Sequence, residues 1–331
     1  MAANPFLFDL GARGALVLSG KDRASFLHGL VTNDVKKLTP GQGCAAAFLT
    51  AKGKMLADCV VLCEEDRLEL DCEAELSGKI EDLLRKYLVF NDVQIGNDSA
   101  ENRVFHLTGA SPGDAVEELL RRGLGLEQSA LGDAFSMPSD AHGHAPLPGA
   151  AAGGAIRIVR ENRTGVPGYD VRLPSSLSKE IFLSLVSEGA RKASGDELEA
   201  LRIAAGIPRW GFELTEAVLP DEAGLRERGF ISENKGCYVG QETVARIKTY
   251  GHVNRTLVLL TVSGGRPKTG EKIFLEGEES GTVTSAAPAV TGGEAAALAY
   301  VKRAHANPGA HFLIRTLEGD LPAVLSSVPL A

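Results

Sequence analysis

The chain has 331 residues, a formal net charge of -8 and 44% hydrophobic residues. Its length suits two or three domains with ordinary cores. The acidic balance argues against a general nucleic-acid binder, which carries a basic face. No run of about 18 apolar residues occurs, so no membrane span is expected. The opening stretch has neither the charged leader and apolar run of a signal peptide nor the Arg-rich character of a transit peptide. Cysteines number five, an odd count, and their spacings match no zinc pattern. The expectation is a cytoplasmic protein with free thiols.

Near the N-terminus, "SGKDRASFLHGLVTNDVKKL" predicts a short helix with Phe26, Leu27, Leu30 and Val31 on one face. "CAAAFLTAKGKMLADCVVLCEEDRLELDCE" predicts a β-meander with turns at Lys52-Gly53 and Glu65-Asp66. Two-residue loops would set Cys44 opposite Val61 and Cys59 opposite Cys72. Strand alternation then puts Cys44, Cys59, Cys63 and Cys72 on one apolar face with Phe48, Met55, Leu68 and Leu70. Asp58, Glu69 and Asp71 fall on the other. The four thiols read as small core side chains, with a four-thiol metal site as the alternative.

"SGKIEDLLRKYLVF" is an amphipathic helix. A second unit follows, with strand "RVFHLTG", a helix near "DAVEELLRRGL", strands "AIRIVREN" and "YDVRL", and helix "SLSKEIFLSLVSEGA". Between them "MPSDAHGHAPLPGAAAGG" reads as a surface loop. Its His142 and His144 lack partners at metal-ligand spacing. Ser194 and Glu197 form a capping box ahead of "ALRIAAG". Residues 206–250 are rich in Gly, Pro and charge and poor in periodicity, which marks a functional or disordered segment. Short strands at regular spacing over the last 80 or so residues predict an all-β barrel.

Cys237 stands apart from the other cysteines. It lies in "ENKGCYVGQETVAR" between Gly236 and Gly240, two residues after Lys235. A nearby cation lowers a thiol pKa, and the thiolate is the nucleophile or metal ligand. Gln241 and Glu242 add an amide and a carboxylate. The alternative is a plain glycine turn. A histidine partner cannot be placed from the sequence, and His252 is near only in chain order.

"KGCYVGQETVAR" resembles the hallmark of the YgfZ family, folate-dependent proteins that support iron–sulfur enzymes. Lys235, Cys237, Gly240, Gln241 and Glu242 match it without a gap. "SFLHGLVTNDV", "LRIAAGIPRWGFEL", "LPDEAGL" and "ALAYVKR" match further landmarks in order. That family is similar in turn to the glycine cleavage T-protein, an aminomethyltransferase. The resemblance implies an α+β fold of three domains in a ring around a central folate cavity, with a C-terminal all-β barrel. The domains would be 1–95, completed by part of 206–250, then 96–205, the Cys-motif segment 206–251, and the barrel 252–331.

The resemblance also implies roles. Tetrahydrofolate, or a derivative, would be the cofactor. In "TGVPGYD", Asp170 stands where the T-protein has a pterin-binding glutamate. Arg202 in "LRIAAG" matches its folate-contacting arginine. In "GKMLAD", Asp58 matches the second of two acidic residues, while Ala57 replaces the first. Catalytic roles would fall to Cys237 and Asp58, and cofactor binding to Asp170, Arg202, Lys235, Gln241 and Glu242. Partners would be iron–sulfur assembly or client proteins. No metal is implied, since one motif cysteine cannot hold a cluster. The plainer readings make Asp170 a strand cap or a surface partner of Arg172, Arg202 a helix-surface arginine, and Asp58 part of a solvated acidic face. Two other functions compete: a true aminomethyltransferase, and a thiol-based interaction scaffold without folate.

Overall fold

The computed structural model describes residues 4–109, 114–125, 142–146, 156–288 and 293–327. The chain opens with strands β1 (Phe6–Gly11) and β2 (Gly14–Ser19), helix α1 (Arg23–His28), the meander β3 (Gln42–Leu49), β4 (Met55–Cys63) and β5 (Arg67–Cys72), helix α2 (Ser77–Tyr87) and β6 (Gln94–Asn97). Then come β7 (Asn102–Thr108), α3 (Asp114–Leu124), β8 (His142–Pro146), β9 (Arg157–Glu161), β10 (Gly168–Pro174), α4 (Ser178–Ser187), β11 (Arg191–Ala193) and α5 (Gly195–Ala204). The Cys-motif segment ends in α6 (Gln241–Tyr250), a helix where the sequence predicts an irregular segment.

These strands form one sheet in the order β11-β1-β7-β10-β9-β8-β3-β4-β5-β2-β6. β8 stitches two halves together by pairing with β3 on one side and β9 on the other. It lies within the stretch expected to be a loop; the rest of that stretch is outside the described residues. Each half buries one face. α1 and α2 cover Leu16, Leu18, Phe48, Val61, Leu68 and Leu70. α3 and α4 cover Phe105, Leu107, Ile158 and Val171. The capping box of α5 is present, with Ser194 Oγ accepting from the Glu197 N–H at 3.2 Å; such a cap stabilises a helix by about 1 kcal/mol.

The meander register matches the expectation except at its first turn. Cys44 pairs with Val61, and the Val60–Asp71 pairing carries Cys59 toward Cys72. A bulge shifts the register between Phe48 and Leu49, and the loop closes with Thr50 N–H on the Lys54 carbonyl. The extra residue turns Met55 off the cysteine face. It packs instead with Ala47, Leu49 and Val218, a correction to the alternation argument.

Strands β12 (Arg255–Val262), β13 (Lys272–Leu275), β14 (Glu278–Ala287), β15 (Ala295–Lys302), β16 (His311–Thr316) and β17 (Gly319–Ser327) make a closed barrel, order β12-β15-β14-β13-β16-β17. Five of these six were legible. Pro322 obscures β17, yet there it pairs opposite Leu313. Val258, Leu260, Ala297, Ala299, Phe312 and Ile314 fill the interior. Closure pairs β17 back to β12 and leaves no free edge.

Candidate functional site

Strand alternation decides which charges meet. Along β10, Val171 points into the core, so Asp170 and Arg172 point to the opposite face. His106 on β7 is registered with Asp170. In the other half, Asp58, Glu69 and Asp71 occupy the face away from the cysteines. The two polar faces meet in a buried seam of ion pairs. Arg172 Nη2 stands 3.1 Å from Asp71 Oδ2, and Arg157 pairs with Glu69. Arg13 binds Asp71 through Nε at 3.0 Å and Nη2 at 2.9 Å, and reaches Glu73 at 3.0 Å. Glu69 and Asp71 are therefore not a solvated face.

Asp170 is wholly buried and already partnered. Arg163 donates to it through Nε at 3.0 Å and Nη2 at 2.6 Å, and His106 Nδ1 lies 2.8 Å from Oδ1. Burial alone would raise this carboxyl. Arg163 and His106 outweigh it and hold the group well below the usual carboxylate range. A ligand in this structure reaches Asp170 only by displacing Arg163. The expected surface pairing of Asp170 with Arg172 does not occur, since Arg172 turns to Asp71 and Glu69.

Asp58 is the opposite case. It is partly buried, and its Oδ1 is shut off from solvent with no hydrogen-bond partner. Burial, then the charge of Glu73, pushes its carboxyl up to about 7, with Arg13 opposing. A carboxyl poised there can give or take a proton at neutral pH. His106 Nε2 also lacks a hydrogen bond. Buried polar atoms left without partners mark where a ligand's own donors and acceptors would fit.

Arg202 is buried at the end of α5 rather than on a helix surface. It binds Glu199 at 3.0 Å, Glu213 at 2.9 Å and Ser285 Oγ at 3.2 Å. Glu213 also accepts from Thr284 and Ser285, and Tyr300 Oη donates to its carbonyl at 2.9 Å. This cluster ties α5 to the barrel. Beside it lies a cavity of about 600 Å³ lined by Phe6, Arg191, Glu199, Arg209, Phe212 and Ser285 among others. Arg209 bonds Glu199 at 2.7 Å and acts on Glu73, so cavity and seam share a charge network.

The motif loop is fixed by two residues. Lys235 is buried, and its ammonium turns inward to the carbonyls of His28 at 2.6 Å, Asn33 at 3.0 Å and Val31. Burial lowers its pKa to about 8. Gly240 has φ +86°, and a β-carbon there would meet the Thr50 carbonyl at 2.5 Å. Reciprocally, Gly53 has φ +75° and abuts Thr243. The loop is thus clamped onto the β3–β4 turn. Cys237 stands exposed on it. Gln241 and Glu242 begin α6, the first half-buried and the second exposed. The structure brings Cys237 and Lys235 to the end of α1 and Asp170 into the seam. Arg202 sits apart in the barrel cluster.

Burial raises the thiols of Cys44 and Cys72 to about 12, and raises those of Cys59 and Cys63. They behave as core side chains. Among the described residues no group of three or more His, Cys, Asp or Glu is arranged to hold a metal ion. The side chains of His142 and His144 lie outside the described residues. The sequence gives no sign that Arg13, His106 and Arg163 join the site, and it offers Arg172 only as a surface partner of Asp170. Arg163 shares a turn with Asp170, but its aim, like that of the other three, follows only from strand pairing.

Two family models match the chain. The GCVT N-terminal domain matches residues 2–228, and the glycine cleavage T-protein C-terminal barrel domain matches residues 255–331. The chain belongs to the glycine cleavage T-protein family. It is 29% identical over 322 residues to a chloroplastic protein of Arabidopsis thaliana named as a transferase candidate, covering 97% of this chain and 70% of that one. It is 26% identical over 324 residues to the aminomethyltransferase of Thermosynechococcus vestitus, covering 98% and 84%. The crystal structure of the glycine cleavage system aminomethyltransferase T from Bartonella henselae superposes with a TM-score of 0.84 at 20% identity, covering all of this chain and 87% of that one. The expected T-protein-like fold with its C-terminal barrel is therefore the fold observed. Among the described residues no helix is long and apolar enough to cross a membrane.

Proposed function

We propose that this chain is a cytoplasmic folate-binding protein of the YgfZ type that supports assembly or repair of iron–sulfur enzymes, its partners, through Cys237. One observation carries the reading: of five thiols, only Cys237 is exposed, on a loop clamped by Lys235 and Gly240 to a T-protein-like body. The residues fit a folate. Asp58 Oδ1 and His106 Nε2 are buried and lack hydrogen bonds, a suitable complement to the polar groups of a pterin. Asp58 and His106 would hold the pterin end. Gln241 and Glu242, at the clamped loop, and Arg202, beside the cavity, remain the further contacts proposed from the motifs. Asp170 and Lys235 would act by fixing Arg163 and the loop.

A bound tetrahydrofolate supplies an acceptor for one-carbon groups. The chain's own part is orientation, and proton exchange at the Asp58 carboxyl. That same carboxyl favours the second reading, an aminomethyltransferase, since amine chemistry on folate needs an acid or base. Calorimetric titration with tetrahydrofolate tests both. Micromolar binding that weakens about tenfold or more in Asp58→Asn supports a folate site, because a lost buried hydrogen bond to a charged group is worth about 1.5–3 kcal/mol. Absence of binding sinks both. Restored iron–sulfur enzyme activity in depleted cells by wild type but not Cys237→Ser then separates the first reading from the second.

A further inference from the structure

Arg163 sits on the turn between β9 and β10, and that turn is held in place. The Gly165 N–H donates to Asn162 Oδ1 at 2.8 Å. A β-carbon at 165 would stand 2.6 Å from that of Ala205 at the end of α5, so the turn packs tightly there. From this turn the guanidinium reaches inward to Asp170. It uses Nε, at 3.0 and 3.1 Å, and Nη2, at 2.6 Å. The third nitrogen, Nη1, is left over. Among the described residues it makes no hydrogen bond, and it is not shut off from solvent. The side chain as a whole is 18% exposed. Arg13 differs, since Asp71 and Glu73 take all three of its nitrogens. A guanidinium gripped along one edge by a buried carboxylate presents its remaining N–H groups as fixed donors.

The free edge stands beside the groups already assigned to the pterin end. His106 Nδ1 meets the same Asp170 oxygen, Oδ1, that Arg163 Nε meets. Arg163 Nη2 is 3.8 Å from Asp71 Oδ2. The Val60–Asp71 pairing carries Asp58 toward Glu73, on the same face as Asp71. Burial would raise the Glu73 carboxyl, but Arg13 and then Arg163 hold it low. Glu73 in turn is the charge that, after burial, raises Asp58.

We propose that Arg163 is a specificity-determining residue of the folate site, its Nη1 donating to the ring oxo oxygen of the bound pterin, with Asp170 as the positioning residue that aims it. The inference rests on the folate reading and deepens it. A ring oxo needs a donor, and arginine is a donor only. An amino group in place of the oxo would set N–H against N–H and leave the donors on both sides without an acceptor.

Calorimetric titration of wild type and Arg163→Lys, with tetrahydrofolate and with its analogue carrying an amino group in place of the ring oxo, tests this. Lysine keeps a cation for Asp170 but has no second edge. Wild type is expected to bind tetrahydrofolate about tenfold or more tighter than the analogue. Arg163→Lys is expected to weaken tetrahydrofolate by about tenfold and to change the analogue little, so that the preference is lost. Equal binding of the two ligands by wild type overturns the proposal without any variant, so the test does not depend on Arg163→Lys folding. Equal weakening of both ligands in Arg163→Lys also overturns it, since a structural role or a contact with the folate tail has that signature. Binding of neither ligand sinks the folate reading and this inference with it, whereas tetrahydrofolate bound without preference sinks the inference alone.

Discussion

Two aspartates show how burial with and without partners sets opposite chemistry. Asp170 is buried against Arg163 and His106 and stays ionised, while Asp58 has an Oδ1 sealed from solvent without a hydrogen bond, and a carboxyl near 7. Asp58 therefore has a raised folded-state pKa. Between about pH 4 and 7 the folded state binds the proton that the unfolded chain releases, so this group's contribution is full at acid pH and lost as pH rises through 7. Asp58→Asn is expected to raise the melting temperature at about pH 8 and to leave it nearly unchanged near pH 4. Thermal melts at the two pH values check this, and an equal effect at both contradicts it. Alternation alone placed Asp58 on the face away from the cysteines. Its missing partner was not legible, because Glu73 and Arg13 approach it only after the sheet has formed.

At the scale of elements, small backbone features redirect side chains. The bulge after Phe48 turns Met55 to the other core and sets the Thr50–Lys54 loop that receives Gly240. Gly240 begins α6 with φ +86° against that loop. Gly240→Ala adds a β-carbon that meets the Thr50 carbonyl, in a conformation L residues rarely adopt. The expected loss is about 1–3 kcal/mol of stability from backbone strain, with more from the clash. Denaturant unfolding measures it, and faster reagent access at the loop should accompany it. The motif glycines were legible as permissive residues. The surface they pack on was not, since Thr50 and Gly240 are distant in sequence and a bulge cannot be read from alternating hydrophobicity.

At the scale of the molecule, one carboxylate couples the barrel to the rest. Glu213 is fully buried and joins Arg202, Thr284 and Ser285, while its carbonyl holds Tyr300. Glu213→Ala leaves Glu199 as the carboxylate paired with Arg202. Breaking a buried ion pair costs about 3–5 kcal/mol. The expected calorimetric outcome is a separate, earlier transition for one part of the chain in place of a joint one. A single unshifted transition in Glu213→Ala contradicts this coupling. By itself the sequence determined the strands and helices with clear periodicity, the capping box, the core thiols, the barrel and the standing of Cys237. Those follow from local spacing and residue chemistry. Only the tertiary structure decided which charges are shared. Arg163 meets Asp170, Arg202 meets Glu213, and His28 meets the Cys237 loop because strand register and loop docking bring distant residues together, and sequence spacing carries no record of that.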